Sequence, residues 1–311
     1  MAQYIHLTKN DIETIAAHYR LGVIDSAPLA GGASNTSYVL HTASGAYVLT
    51  VFENKTELEV RQMGQLLLLL AQHDFPAPRL RRTAKDDLSL LYQDQPVMLK
   101  AYIRGQVYQH LSRSMLRQIG RALARLHLLP GPDFLPTGYA YGFQLFPQVI
   151  GRQLDPAYET WLAGRYDYFR RHWPADLPAG LIHADLFYDN VLFEQHQLKA
   201  IIDFEDVCRD YLSFDLGMAI LGLCRDGPQI DLGRVRPLLS GYQQVRRLAA
   251  NEKRALPLLV AYAATVISYW RFWKYRIRIP SPDKADAHWR MAAVADSVAA
   301  ISPAEFLELV F

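Results

Sequence analysis

Cysteine is scarce in this sequence: Cys208 and Cys224 are the two cysteines among its 311 residues. Two thiols cannot build a disulfide framework, and their spacing matches no zinc-binding motif. We therefore expect both thiols to be reduced and buried, and neither to act as a nucleophile. The phosphate-binding motif G-x-x-x-x-G-K-[ST] is also missing from the sequence, which argues against a P-loop enzyme.

Excess charge and long apolar segments are missing as well. Lys and Arg number 33 and Asp and Glu 31, so the formal net charge of +2 gives no sign of a nucleic-acid partner. Residues 1–9 lack the cationic and apolar segments of a secretory signal. The uncharged run 255–270 contains Pro257 and is shorter than the about 20 apolar residues that a membrane-spanning helix needs. We expect a cytoplasmic protein without a membrane partner, in which this run is a buried core helix; the oligomeric state stays open.

Residues 1–103 are expected to form a small, strand-rich, nucleotide-binding lobe. The hydrophobic periodicity and the turn residues predict a helix, two strands, a second helix and two more strands. In chain order these elements cover residues 8–20, 27–40, 46–52, 57–72, 88–92 and 96–103.

Residues 104–311 are expected to form a large, mainly helical lobe. Amphipathic patterns predict helices over 114–129 and 155–172, and nearly continuous helix after Tyr211. Short apolar runs at 181–182, 191–193 and 198–202 predict three strands, and the last two of them form a hairpin. The fold class is therefore α+β, with an antiparallel sheet lobe and a helical lobe, as in the two-lobed protein kinases.

The catalytic motif lies around this hairpin. The sequence reads His183-Ala184-Asp185-Leu186-Phe187-Tyr188-Asp189-Asn190, and Ile202-Asp203-Phe204 follows. Protein-kinase catalytic loops have the same spacing, H-x-D-L-x-x-x-N, in which the Asp accepts the proton of the acceptor hydroxyl and the Asn holds Mg²⁺. The spacing predicts Asp185 as the catalytic base and Asn190 and Asp203 as metal ligands. Turn geometry explains any one of these residues, but it explains the whole set poorly.

A phosphate-binding loop is predicted in the small lobe, where residues 31–35 interrupt the first predicted strand. Gly31 and Gly32 allow the backbone to approach a ligand closely, and Ser34 and Asn35 add donors for phosphate oxygens. Double glycines are also common in plain hairpins. Together with the catalytic motif downstream, this segment predicts contacts to the phosphates of ATP.

The small lobe departs from protein kinases at one position. Protein kinases carry a phosphate-binding Lys on the third strand, and Thr50 stands there in this chain. We expect Lys55 to reach back toward the phosphates, with Glu53, Glu57 or Glu59 as its acidic partner. A solvated Lys at a strand end is the alternative.

Two further positions bear on the nucleotide and on the catalytic loop. The segment 98–102 is expected to join the lobes and to offer backbone groups to adenine, with the side chains of Lys100 and Tyr102 turned mostly elsewhere. His127, at the end of a predicted helix, is interpreted as a structural histidine rather than a base.

These motifs resemble the aminoglycoside and choline kinase-like superfamily of small-molecule kinases, and within it the bacterial homoserine kinases of the kinase-like type. The resemblance covers nearly the whole chain. It rests on the catalytic motifs and on Asp215-Leu216, Tyr47-Val48-Leu49-Thr50 and residues 124–127, 172–180 and 241–246. It implies Asp185 as catalytic base, Asn190 and Asp203 as metal ligands, and His183 and Asp215 as structural support of the catalytic loop.

In this superfamily the late helices form the acceptor pocket, so the resemblance places the acceptor after Tyr211. An amino-acid acceptor needs a cation for its carboxylate and an acid for its ammonium group. The candidates by location are two acids and two arginines, for which surface ion pairs are the alternative: Glu205, Asp206, Arg271 and Arg276.

The sequence thus predicts transfer of the γ-phosphoryl group of MgATP to a hydroxyl group. The resemblance implies homoserine as the acceptor, and with it a role in threonine biosynthesis. Another small alcohol, such as an aminoglycoside, a choline-like compound or a sugar, is the alternative. A catalytically silent nucleotide-binding module is a further alternative, against which the intact Asp185, Asn190 and Asp203 argue.

Overall fold

The computed structural model describes residues 6–29 and 35–311. By their contacts these residues form two compact units. The first comprises Met1–Gln106, Leu192–Glu194 and Lys199–Ile202, and the second comprises Val107–Val191, Gln195–Leu198 and Asp203–Phe311.

The first unit is built on an antiparallel sheet. Its strands are β1 (Val23–Pro28), β2 (Thr36–Thr42), β3 (Gly45–Val51), β4 (Leu80–Arg81), β5 (Leu90–Tyr92) and β6 (Gln95–Ala101). The sheet order is β1-β2-β3-β6-β4, and β5 also pairs with β6. Its two helices are α1 (Lys9–Ala17) and α2 (Glu57–Gln72), each of which begins with a capping box, at Thr8 and at Thr56.

The core of the first unit lies between α1 and one face of the sheet. Ile12 and Ile15 of α1 pack with Leu40, Leu49 and Leu99 of the three central strands, and all five are buried. Along β2, the buried Tyr38 and Leu40 alternate with partly exposed neighbours, which is the period of two of a strand with one face on the core.

The second unit is mainly helical. Its helices are α3 (Arg113–His127), α4 (Pro156–His172), α5 (Leu212–Cys224), α6 (Leu232–Gln243), α7 (Ala250–Phe272), α8 (Ala287–Ala299) and α9 (Pro303–Val310). Short 3₁₀ turns cover Phe143–Gln148, Tyr188–Asn190 and Pro282–Lys284, and a π-helical turn, Trp273–Arg278, continues α7. The remaining strands are β7 (Ala179–Ile182), β8 (Val191–Glu194), β9 (Gln197–Ile201), β10 (Cys208–Tyr211), β11 (Arg225–Asp226) and β12 (Gln229–Ile230). Most residues of β8 and β9 belong to the first unit, and the other four strands belong to the second.

Glycines permit the close helix crossings of this unit. Helices α3 and α6 pack on each other, and a Cβ added at Gly120 or Gly241 would lie 2.1 Å from Leu238 O or 2.2 Å from Arg117 O. Helices α5 and α7 cross in the same way at Gly217. Side chains at these positions would therefore collide with backbone of the partner helix.

The segment Ala250–Arg278 is the helix among the described residues that is long and apolar enough to cross a membrane, and 78% of its most apolar window is buried in the protein. It contains the run 255–270 that the sequence predicted as a core helix. Cys208 and Cys224 are also buried, as predicted, and both are free thiols.

Candidate active site

The predicted catalytic loop follows strand β7. This strand pairs antiparallel with β10, and the loop runs from His183 through a 3₁₀ turn at Tyr188–Asn190 into β8. The turn brings Asn190 back to Asp185, because its side-chain nitrogen donates to Asp185 O at 2.8 Å and to Asp185 Oδ2 at 3.2 Å. These two bonds use the amide nitrogen, so Oδ1 is the atom of Asn190 that is suited to bind a cation.

The carboxylate of Asp185 lies in an acidic surrounding. Burial raises its pKa well above the ordinary value, and the charges of Asp206, Asp203 and Asp189 raise it further. The hydrogen bond from Asn190 acts in the opposite direction and does not offset these effects. A proton or a cation at this place would therefore be stabilised.

Asp203 lies two residues beyond the end of strand β9 and has a left-handed backbone, φ 65°. Within residues 6–29 and 35–311, no three His, Cys, Asp or Glu side chains converge as a metal cage. Mg²⁺ in phosphoryl-transfer sites commonly takes one or two carboxylates and completes its shell with water and substrate phosphates. One amide oxygen and one carboxylate beside an acidic cluster fit such an ion.

Asp215 of α5 holds the backbone of the catalytic loop. Its Oδ2 accepts from the His183 amide and its Oδ1 from the Ala184 amide, both at 2.8 Å. Ala184 has φ 67°, a left-handed conformation that costs a non-glycine residue roughly 1–2 kcal/mol. Asp215 is fully buried, and although burial alone would raise its pKa, the hydrogen bonds from His127 and the loop outweigh burial and lower it.

His183 supports the same loop from within. It is fully buried, its Nδ1 accepts from the Asp185 amide at 3.3 Å, and its ring packs against Phe204 with a centroid distance of 4.9 Å. Helix α5 reaches this loop at Gly222, where an added Cβ would lie 2.5 Å from Leu186 O. The sequence thus places Asp185 on a loop that side chains and a helix fix from several directions.

Aromatic residues that the sequence analysis did not single out lie near the acidic cluster. The rings of Tyr139 and Tyr141 are 5.9 Å apart, and Tyr141 is 5.9 Å from Trp273. Burial raises the pKa of Tyr141, and the charge of Asp206 raises it further. The aromatic-rich sequence Tyr139-Ala140-Tyr141 was the available signal, but aromatic residues more often form core.

A cation adjoins these rings. The guanidinium of Arg278 is 5.3 Å from the centre of the Trp273 ring, and its charge lowers the pKa of Tyr141. Both residues belong to the π-helical turn Trp273–Arg278, a rare geometry that often marks functional sites. Sequence periodicity does not reveal a single π turn at the end of a long helix.

The arginines predicted to bind the acceptor make contacts at the start of α8. Arg276 donates to Asp286 Oδ1 at 2.9 Å and to Ala285 O at 3.1 Å, and it lies 3.8 Å from Asp155. Arg271 donates to Ala287 O at 3.3 Å. Their predicted contact with the acceptor, like that of Glu205 in the turn after Phe204, stays a prediction.

In the first unit, the predicted nucleotide contacts cluster around β2 and β3. The Thr50 hydroxyl is 3.2 Å from that of Ser37, and Asn35 Oδ1 accepts from the Glu53 amide at 3.4 Å. Three further predicted residues, Gly31, Gly32 and Ser34, lie outside the described part of the chain.

Lys55 lies in the segment between β3 and α2. The carboxylate of Glu59 accepts from the Thr56 amide at 2.7 Å. Hydrogen bonds from Thr56 lower the pKa of Glu59, and the charge of Lys55 lowers it further. Of the three glutamates that were predicted as partners of Lys55, Glu59 is therefore one whose pKa the charge of Lys55 lowers.

The segment that was predicted to join the lobes begins later than expected. Strand β6 continues through Ala101, and Lys100 pairs with Val48 of β3 and Leu80 of β4. Tyr102 is 39% exposed, and its amide donates to Ala46 O at 3.0 Å. Sheet pairing thus already engages most of the backbone that was expected to contact adenine.

Comparisons with known proteins identify the family of this chain. Residues 25–248 match APH, the phosphotransferase enzyme family. The homoserine kinase of Rhizobium meliloti (strain 1021) is 30% identical over 290 residues, which are 90% of this chain and 89% of that protein. The homoserine kinase of Rhodospirillum rubrum is 33% identical over 276 residues, 85% of each chain.

Solved structures share the fold. An amicoumacin kinase in complex with AMP-PNP and Ca²⁺ superposes with a TM-score of 0.74 at 15% identity, covering 96% of this chain and 97% of that one. A microcompartment-associated aminopropanol kinase gives a TM-score of 0.72 at 17% identity, covering 97% and 100%. The predicted fold class is confirmed. The chain belongs to the phosphotransferase enzyme family (APH), the aminoglycoside and choline kinase-like group, and is a phosphotransferase with an alcohol group as acceptor.

Proposed function

We propose that this protein is an ATP-dependent kinase that transfers the γ-phosphoryl group to the hydroxyl of homoserine. The observation that carries the proposal is the arrangement of Asp185 and Asn190, which are hydrogen-bonded to each other on a loop that Asp215 holds. Relatives named homoserine kinase at about 30% identity support the choice of acceptor. A cytoplasmic location and a role in threonine biosynthesis belong to the same proposal.

Asp185 acts as the base in this mechanism. Its carboxylate orients the acceptor hydroxyl and takes its proton, while the hydroxyl oxygen attacks the γ-phosphorus and the bond to the bridging oxygen of ADP breaks. Because burial and acidic neighbours raise its pKa, Asp185 accepts a proton more readily than an ordinary carboxylate.

Asn190 Oδ1 and the carboxylate of Asp203 would hold Mg²⁺. When it is bound, this ion neutralises the charge of the phosphates and of the departing ADP. In the first unit, the proposed nucleotide contacts are the eight residues that the sequence indicated: Gly31, Gly32, Ser34, Asn35, Thr50, Lys55, Lys100 and Tyr102.

Homoserine carries an ammonium and a carboxylate group besides its hydroxyl. Asp206 suits the ammonium group, since its charge acts on Asp185 and on Tyr141 and therefore lies near both. Glu205 is the second acidic candidate. Arg278 suits the carboxylate because it adjoins the same aromatic residues, and Arg271 and Arg276 are the arginines that the sequence proposed.

A kinase for another small alcohol is the second candidate. Aromatic faces such as those of Tyr141 and Trp273 attract cations, so they also suit an acceptor that has an amine and lacks a carboxylate. Choline-like compounds, aminoglycosides and sugars remain within this alternative.

ADP release in the presence of MgATP tests the proposal across an acceptor panel. The panel contains homoserine, serine, threonine, 1-amino-2-propanol, choline and an aminoglycoside. We expect the highest kcat/KM with homoserine. A higher value with an acceptor that lacks a carboxylate would overturn homoserine in favour of the second candidate, and no acceptor-dependent ADP release would favour the silent module.

A further inference from the structure

Behind the catalytic loop, side chains of helices α3, α5, α6 and α7 and of the residues after α6 form a continuous series of hydrogen bonds. Arg246 makes a two-pronged ion pair with Glu252, with distances of 2.9 and 3.1 Å, and donates to the Tyr242 hydroxyl at 3.1 Å. The Tyr242 hydroxyl lies 2.8 Å from His127 Nδ1, and His127 Nε2 lies 3.0 Å from Asp215 Oδ2. Tyr242, Glu252 and Asp215 are at most 1% exposed, and His127 is 6% exposed.

We propose that Tyr242 is a positioning residue for the catalytic loop, whose hydroxyl proton holds His127 as the neutral Nε2–H tautomer that anchors Asp215. This inference rests on the proposed role of Asp185 as the base on that loop. Tyr242 touches none of the proposed reacting atoms and acts through His127 and Asp215.

The direction of each hydrogen bond follows from the chemistry of the groups. A guanidinium donates and never accepts, so the oxygen of Tyr242 accepts from Arg246. The buried hydroxyl proton of Tyr242 then needs an acceptor, and among the described residues His127 Nδ1 is the one within hydrogen-bonding distance. Nδ1 is therefore unprotonated, and the ring proton lies on Nε2, where it donates to Asp215.

Protonation of His127 would disrupt this assignment of donors and acceptors. Its Nδ1–H would point at the tyrosine oxygen, and the tyrosine proton would be buried without an acceptor, which costs about 1–3 kcal/mol. The arrangement in which His127 Nδ1–H donates to the tyrosine oxygen is prevented by Arg246, which already donates to that oxygen from a fixed position. Its fork is matched to both oxygens of Glu252, which also accepts from the Ala249 amide at 3.0 Å.

Close helix packing places the two rings against each other. Gly120 and Gly241 let the backbones of α3 and α6 touch, and His127 and Tyr242 are carried on these two helices. Their ring centres are 5.5 Å apart in an edge-on contact. The hydroxyl of Tyr242 thus meets Nδ1 through rigid elements rather than through a mobile loop.

The loop is where this series acts. Asp215 holds the amides of His183 and Ala184, and Ala184 is kept at φ 67° immediately before Asp185. Strained backbone persists only where its surroundings over-determine it. If His127 turns, Asp215 loses a donor, Ala184 can relax, and the carboxylate of Asp185 changes direction.

The substitution Tyr242→Phe tests the proposal because it keeps the packed ring and removes the hydroxyl. One net hydrogen bond of positioning corresponds to about a tenfold fall in kcat. We expect this fall with the best acceptor of the panel, with the KM for ATP and for the acceptor within about twofold of wild type. The matched control is Tyr158→Phe, which also removes a fully buried hydroxyl, one that bonds Ser268 at 3.1 Å. The control should lose thermal stability to a similar degree and keep its kcat.

A second measurement reads the tautomer in the wild-type protein, and it depends on no acceptor. NMR of labelled histidine ring nitrogens should show His127 Nδ1 unprotonated and Nε2 protonated. A protonated Nδ1, or a Tyr242→Phe enzyme whose kcat equals that of the Tyr158→Phe control, overturns the proposal. Loss of the homoserine assignment would change the best acceptor but neither of these two comparisons.

Discussion

At the scale of single residues, the ionised carboxylate of Asp185 lowers the stability of the folded protein. Burial and the charges of Asp206, Asp203 and Asp189 raise its pKa, so the folded protein holds the Asp185 proton more tightly than the unfolded chain does. Ionising this group therefore lowers the free energy of unfolding as the pH rises from the ordinary carboxyl pKa toward the raised one. Natural active sites commonly trade stability for activity in this way.

Asp185→Asn should accordingly raise the melting temperature of the nucleotide-free, metal-free protein at neutral pH. The amide removes a desolvated charge and can still accept the hydrogen bond from Asn190. The gain should shrink toward zero as the pH falls to the ordinary carboxyl pKa of about 4, because the raised pKa of Asp185 keeps this group protonated there in the folded protein. Thermal unfolding of both proteins across this pH range measures the effect. A variant that melts below wild type at neutral pH would contradict the assigned cause of the pKa shift.

At the scale of elements, the sequence predicted periodic segments well and short ones poorly. Helix α2 has the predicted bounds, Glu57–Gln72, because a capping box begins it and a Phe75-Pro76 segment follows it. Strands β4 and β10 were missed, since two and four residues are too few to show a period. The run predicted as one strand over 27–40 contains the end of β1 and most of β2.

The candidate site shows the same limit of prediction from sequence. Asp185, Asn190 and Asp203 could be proposed from the sequence because phosphoryl transfer requires such residues at a characteristic spacing along the chain. The series His127–Tyr242–Arg246 could not, since His127 on α3 meets Tyr242 on α6 only through tertiary packing. Tyr141 and Arg278 were missed for the same reason.

The close crossing of α3 and α6, the helices that carry His127 and Tyr242, leads to a prediction about packing. Gly241→Ala would place a methyl group 2.2 Å from Arg117 O, and neither backbone can yield easily. We expect a loss of about 1–3 kcal/mol in the free energy of unfolding, measured by denaturant titration. The control is Gly164→Ala in α4, where an added Cβ meets nothing within 4 Å and helix propensity should raise stability by about 1 kcal/mol. Equal effects of the two substitutions would contradict the close crossing.

At the scale of the whole molecule, a nearly neutral chain contains strongly charged local regions. The formal net charge is +2, yet acidic residues gather around Asp185 and basic residues gather in and after the π-helical turn of Trp273–Arg278. A zwitterionic acceptor matches such a separation of charges better than a purely cationic one does. Composition alone conceals this separation because it averages over the chain.

Arg278→Met should therefore raise the KM for homoserine by roughly ten- to a hundredfold, the range of a charge-assisted hydrogen bond. The KM for 1-amino-2-propanol, which has no carboxylate, should change little. The comparison variant is Arg276→Met. In the wild-type protein, Arg276 pairs with Asp286. A larger homoserine effect in the Arg276 variant would assign the carboxylate to Arg276, as the sequence proposed, and would contradict the role of Arg278.

The most direct test of the central claim is steady-state phosphoryl transfer from ATP to homoserine by the wild-type protein and by Asp185→Asn. If Asp185 is the base, the substitution should lower kcat by about 10²–10⁴-fold, while calorimetry shows ATP binding with unchanged affinity. A rate near that of the wild type would contradict the assignment of Asp185, and with it the mechanism.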